Sequence, residues 1–246
     1  MYGEGHLVHG SRIANNNLGH GAFVAANDVS FEYNEFENNG PPPPDAFIHS
    51  LYFAGCDGVL FENNEVHSAT DGVKARRTTN SIFRYNTIHD IEAIGIHLGG
   101  DSTGGAFDNR IEGNLLYNNS SDIVIKSESG IQIDPVDELV IANNIMDSGT
   151  DGFIDYGAHI MVTSVPARNI AVVNNLVYEG GSDDGIRIQN SGVNVSCDNN
   201  IVGQFAGGAA YDLDGAVSRR SNIEFTSRAA FESLELVSCS RRNYSI

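Results

Sequence analysis

Short runs of alternating apolar and polar residues recur along the chain, each interrupted by an asparagine and then resumed. They are Val29–Phe36 (VSFEYNEF), Val59–Val66 (VLFENNEV), Ser81–Ile88 (SIFRYNTI), Arg110–Leu116 (RIEGNLL), Leu139–Met146 (LVIANNIM), Ile170–Val177 (IAVVNNLV) and Val195–Val202 (VSCDNNIV). The shared residues are Asn34, Asn64, Asn86, Asn114, Asn144, Asn175 and Asn200, at intervals of 30, 22, 28, 30, 31 and 25 residues. A fixed motif with a variable interval means constant strands joined by loops of different length. The runs are rich in β-branched residues and broken by Gly and Asn, so they read as strands rather than amphipathic helices. Coils of this size stack as a parallel β-solenoid at about 4.8 Å per coil. An Asn recurring at a sharp turn can donate and accept along the stack and so satisfy the turn's buried polar groups.

This pattern resembles the right-handed parallel β-helix of the pectate lyase-like superfamily, with its internal asparagine ladder. The resemblance implies an all-β, single-domain chain over 1–246 with about seven or eight coils, regular between about residues 13 and 225. An irregular tail follows over 226–246. The ends read as cut short, and exposed solenoid edges invite end-to-end self-association. The superfamily hosts lyases, hydrolases, epimerases and binding proteins, so the fold alone does not choose a chemistry.

In that superfamily one sheet commonly carries the active groove. Its strands here are Ser50–Ala54, Gly72–Arg76, Gly95–Gly99, Asp122–Lys126, Gly185–Gln189 and Ala210–Asp214, with either Thr150–Asp155 or His159–Thr163 for the coil between. Alternation turns Leu51, Val73, Ile96, Ile123, Ile186 and Tyr211 inward. It turns Tyr52, Lys74, His97, Val124, Arg187 and Asp212 outward in one column, and Ala54, Arg76, Gly99, Lys126, Gln189 and Asp214 in the next. Segments 38–49, 99–109 and 127–138 are candidate walls of a cleft above them.

Composition sharpens this face. The chain has 32 Asp and Glu against 14 Lys and Arg, a net charge of −18. Such a surface disfavours nucleic acid and anionic membranes, and no apolar run is long enough to span a bilayer. Only two residues are Lys, Lys74 and Lys126, and both fall on the same outward face beside Arg76, Arg187 and His97. That is a candidate cationic seat for an acidic polysaccharide or oligosaccharide; scattered cations compensating nearby carboxylates are the simpler alternative. Cys56, Cys197 and Cys239 lack metal-ligand spacing and leave open one disulfide or three reduced thiols. No basic-then-apolar segment opens the sequence, so a secretion signal is expected to have been removed or never present, and the expected setting is secreted or extracellular.

The first chemistry to expect is β-elimination on a uronate polysaccharide, which requires a cation at the carboxylate and a base within reach of the adjacent proton. Lyases of this fold use Lys or Arg as base, often with calcium. By resemblance, Lys74 is the base, Arg76 binds the carboxylate, and Tyr52 or His97 protonates the leaving oxygen. Lys126, Arg187 and Gln189 bind substrate. Calcium is the candidate cofactor, with Asp71, Asp90, Glu92, Asp101 and Asp122 as candidate ligands, although Asp-Gly before a strand is also ordinary turn chemistry. A paired-carboxylate glycoside hydrolase and a non-catalytic glycan-binding β-helix are the alternatives. The other histidines are dispersed, and His67 and His89 are expected to stack as structural residues.

Overall fold

The computed structural model describes residues 1–40, 48–126, 136–147, 157–163, 167–179, 184–189, 191–204, 208–227 and 229–230. Each turn of the chain contributes one strand to each of three sheets, and among the described residues each sheet has nine parallel strands. The first sheet runs Tyr2–Glu4, Ala22–Asn27, Leu51–Ala54, Val73–Arg76, Ile94–Gly99, Ser121–Lys126, Ala158–Thr163, Asp184–Ile188 and Tyr211–Leu213. The second runs from Leu7–His9 to Ser218–Arg220, and the third from Arg12–Ala14 to Ile223–Phe225. Nine coils stacked at about 4.8 Å make a rod roughly 38 Å long. The seven motif repeats are therefore the interior of the stack. One coil precedes them, starting at Tyr2, and one follows.

The asparagines form a ladder between the second and third sheets. Asn114 is typical: its Oδ1 accepts from the backbone N–H of Asn86 at 3.0 Å and from the Asn86 amide at 2.9 Å. Its own amide donates to the Phe83 carbonyl at 3.0 Å and to Asn144 Oδ1 at 2.9 Å. The same pattern links Asn34, Asn64, Asn86, Asn114, Asn144, Asn175 and Asn200, and it continues into Asn222. At the other end Ser11 holds the ladder position, and only its backbone N–H reaches Asn34 Oδ1.

The doubled Asn-Asn of the motif has a second cause. The residue before each ladder Asn adopts left-handed backbone geometry: Tyr33, Asn63, Tyr85, Gly113, Asn143, Asn174, Asn199 and Ser221 all have φ between 53° and 67°. Asn and Gly tolerate this region, so the first Asn serves the backbone and the second the ladder.

Between the three sheets lies an apolar core. Phe31, Phe36, Phe53, Phe61 and Phe83 are buried and meet with ring centroids 5.7–6.3 Å apart. Leu51, Val73, Ile96, Ile123 and Ile186 point inward as expected and join the same core. Among the described residues no helix is long and apolar enough to cross a membrane.

Candidate functional site

Strand register builds one column on the outer face of the first sheet. Phe23 pairs with Tyr52, Tyr52 with Lys74, Lys74 with His97, His97 with Val124, Val124 with Met161, Met161 with Arg187 and Arg187 with Asp212. The predicted column is thus present. Met161, from Ala158–Thr163, fills the coil the sequence left open; Thr150–Asp155 lies outside the described residues. The neighbouring column carries Ala54, Arg76 and Gly99, then Lys126 beside Thr163.

At the centre of this face, Lys74 Nζ lies 2.8 Å from His97 Nδ1 and 2.9 Å from Nε2, and the ring also reaches the Lys126 carbonyl at 3.3 Å. Burial, and then the Lys74 charge, hold His97 well below the ordinary imidazole range, so it is neutral at pH 7. A neutral ring that donates one N–H to Lys126 accepts from the Lys74 ammonium with its other nitrogen. His97 therefore positions Lys74 and carries no second positive charge. Lys74 is 1% exposed, His97 7% and Tyr52 9%.

The flanking charges are paired. Arg76 lies 5.4 Å over the Tyr52 ring, and Arg76 and Arg77 both meet Asp101, at 3.3 and 3.4 Å. Burial pushes the Asp101 carboxyl up, but hydrogen bonds from Thr103 and the charges of Arg77 and Arg76 outweigh it and lower its pKa. Arg187 holds Asp184 at 2.6 Å and Asp212 at 3.3 Å, and Gln189 donates to Asp212 at 2.9 Å. The cationic strip is thus largely a set of cation–carboxylate pairs, close to the simpler alternative that the sequence offered.

The candidate calcium ligands are not brought together. Asp71 meets His49 at 2.5 Å, and Asp122 accepts from Asn119 and pairs with His159 at 2.5 Å. Asp101 is held by the two arginines. Asp90 belongs to the third-sheet strand Thr87–Ile91, where it pairs with His89, and exposed Glu92 follows that strand. Carboxylates already engaged by separate partners on two sheets do not fit one calcium cage. Among the described residues, metal-type ligand atoms converge at Glu35, Glu37 and His67 on the third sheet. There Arg12 already bridges both glutamates. His67 and His89 stack 5.0 Å apart, as expected, and Tyr117 extends the stack at 4.6 Å.

A family model described as the right handed beta helix region matches residues 1–223. The chain belongs to this family. No curated protein matches the sequence. Among solved structures, the β-helix is similar to a mutant tailspike protein of E. coli bacteriophage HK620 in complex with a hexasaccharide, with TM-score 0.66 and 12% identity over 91% of this chain and 43% of that one. It is also similar to PfbA, a surface adhesin of Streptococcus pneumoniae, with TM-score 0.64 and 13% identity over 87% of this chain and 59% of that one. At such identities the likeness is one of fold, and the β-helix spans less than two thirds of either neighbour's length.

Sequence reasoning passed over three histidines on this face of the β-helix. His20 and His49 stack with centroids 5.3 Å apart, His49 meets Asp71, and both rings stand edge-on to Tyr52 at 5.1 and 5.3 Å. His159 pairs with Asp122 two coils beyond His97. The signal was an offset of three residues: His20 precedes Phe23, His49 precedes Tyr52 and Asp71 precedes Lys74 in successive coils. Aligning coils on the outward column, rather than on the asparagine, exposes it. The segments expected to wall a cleft fall partly outside the described residues, at 41–47 and 127–135.

Proposed function

We propose that this β-helix is a carbohydrate-active protein of the extracellular space that binds an acidic polysaccharide across its first-sheet face and cleaves it by β-elimination. The observation that carries the reading is the Lys74–His97 pair at the centre of the outward column, with Arg76 over Tyr52 beside it. In β-elimination the proton next to the uronate carboxylate leaves to a base. Its electron pair closes a C4=C5 double bond, and the C4–O bond breaks with a proton going to the departing oxygen. As donor to a neutral imidazole, Lys74 carries the positive charge that meets the carboxylate and the enolate-like intermediate. This role suits the geometry better than that of the base, which the resemblance implied for Lys74. Arg76 and Lys126 bind neighbouring uronates, Arg187 and Gln189 extend the contact, and the Tyr52 hydroxyl protonates the leaving oxygen. No step runs through calcium.

Aromatic rings support sugar binding here as well: Phe23, 39% exposed, stands edge-on to Tyr52 at 5.3 Å. A second reading, glycan binding without cleavage, is favoured by the burial of Lys74 itself. Ultraviolet absorbance of unsaturated uronates, followed on pectate, alginate and glycosaminoglycans with and without calcium, separates the two. New absorbance supports elimination. Reducing ends without it would mean hydrolysis, and binding without product the second reading.

A further inference from the structure

The proposed elimination needs a proton acceptor, and Lys74 is occupied as a donor. Resting on that reading, we propose that His49, oriented by Asp71, is the general base of the first-sheet site. His49 Nδ1 lies 2.5 Å from Asp71 Oδ2, and both side chains are buried, at 8% and 5% exposure. A carboxylate accepts, so Nδ1 carries the hydrogen. This tautomer leaves the lone pair on Nε2, for which the described residues supply no hydrogen-bond partner. An imidazole fixed through one nitrogen with the other bare is the arrangement of a base held ready by its carboxylate.

The ring is held on one face, along an edge and at Nδ1. His20 stacks on it at an interplanar angle of 2°, and His20 Nδ1 accepts the His49 backbone N–H at 3.0 Å. Tyr52 touches it edge-on. The charged and titratable groups around it are therefore His20, Tyr52 and Asp71, with Lys74 and His97 next along the column.

A second observation points to a ligand. Asp71 Oδ1 is buried and has no hydrogen-bond partner. A buried carboxylate oxygen without a donor is expensive, and a sugar hydroxyl is the kind of donor that would satisfy it. The comparable pair farther along the face differs. Asp122 gives Oδ2 to His159 and takes the Asn119 amide at 2.8 Å on Oδ1, so its carboxylate is complete without a ligand. Of these two histidine–aspartate pairs, the one beside Tyr52 is unfinished.

In the step itself, the C5 hydrogen moves as a proton to His49 Nε2. The C–H pair becomes the C4=C5 bond, the C4–O pair leaves with the oxygen, and Tyr52 supplies that oxygen's proton. Asp71 compensates the imidazolium that forms, and Lys74 the carboxylate side.

The test measures unsaturated product formed by wild type, His49→Gln and Asp71→Asn on the best polymer of the panel, with binding followed by calorimetry. His49→Gln should lower kcat about 10²–10⁴-fold, the usual share of a general base, with KM changed less than about threefold. Asp71→Asn should lower kcat in the same direction. A His49→Gln kcat within about threefold of wild type overturns the role of His49 and leaves the proposed function standing. Absence of product from wild type overturns both. As a measurement independent of any variant's folding, the imidazole nitrogen spectrum of wild type should show His49 protonated on Nδ1 and bare on Nε2. The opposite tautomer refutes the proposal.

Discussion

Replacing Asn114 by Ala removes a rung from the middle of the asparagine ladder. Asn114 is 1% exposed. Its loss leaves the Asn86 backbone N–H and one Asn86 amide hydrogen without their acceptor, and the Phe83 carbonyl without a donor. Water cannot replace them without entering the stack. At about 1–3 kcal/mol for each orphaned buried donor, the variant should lose about 2–6 kcal/mol. Asn222 makes the same kinds of contact at the end of the ladder, where it is only partly buried. There water can substitute, and Asn222→Ala should lose about 1 kcal/mol. The chain has no Trp, so urea unfolding is followed by tyrosine fluorescence and circular dichroism. The slope must be compared as well as the midpoint, because a solenoid can lose cooperativity at a weakened coil. An Asn114→Ala loss below about 1 kcal/mol, or equal to that of Asn222→Ala, would refute the claim that the ladder's buried bonds hold the coils.

Three further outcomes follow from the same structure. Gly72→Ala should destabilise by more than about 2 kcal/mol, because an added Cβ would lie 2.3 Å from the Gly95 carbonyl oxygen; a melt within error of wild type would count against it. Cys197 is buried and its thiol is pushed up to about 12, while burial also raises Cys56, so neither should label with a thiol reagent at pH 8 until the protein unfolds. His97 is held below its unfolded value of 6.5, so its contribution is full above pH 6.5 and is lost as pH falls through 6.5 toward the folded value. Stability should fall there with a slope of up to about 1.4 kcal/mol per pH unit for this one proton, and His97→Gln should flatten it.

The fold was legible because its cause repeats. The ladder asparagines occupy equivalent turns, and a period of two within each run decided which side chains point inward. The aspartate–glycine pairs were legible only in part. Gly72 and Gly185 read as turn residues, yet what requires glycine is close approach: a Cβ at Gly185 would meet the Val202 side chain at 2.4 Å. The site was less legible for a related reason. Lys74 and His97 could be placed in one column, but the carboxylates opposite them come from loops and turns without a common period. Asp101 reaches Arg76 from the segment after Gly99, and no spacing rule announces it. His20 and His49 seemed scattered because the interval between coils varies, from 30 residues between Asn34 and Asn64 to 22 between Asn64 and Asn86.

The most direct test of the central claim is a crystal structure of the protein with a bound oligouronate. Sugar rings should lie along the first sheet, across Phe23, Tyr52 and Arg76, with a carboxylate facing Lys74 and a hydroxyl on Asp71 Oδ1. An oligosaccharide seated on the second or third sheet, leaving the Tyr52–Lys74–His97 column untouched, would contradict it.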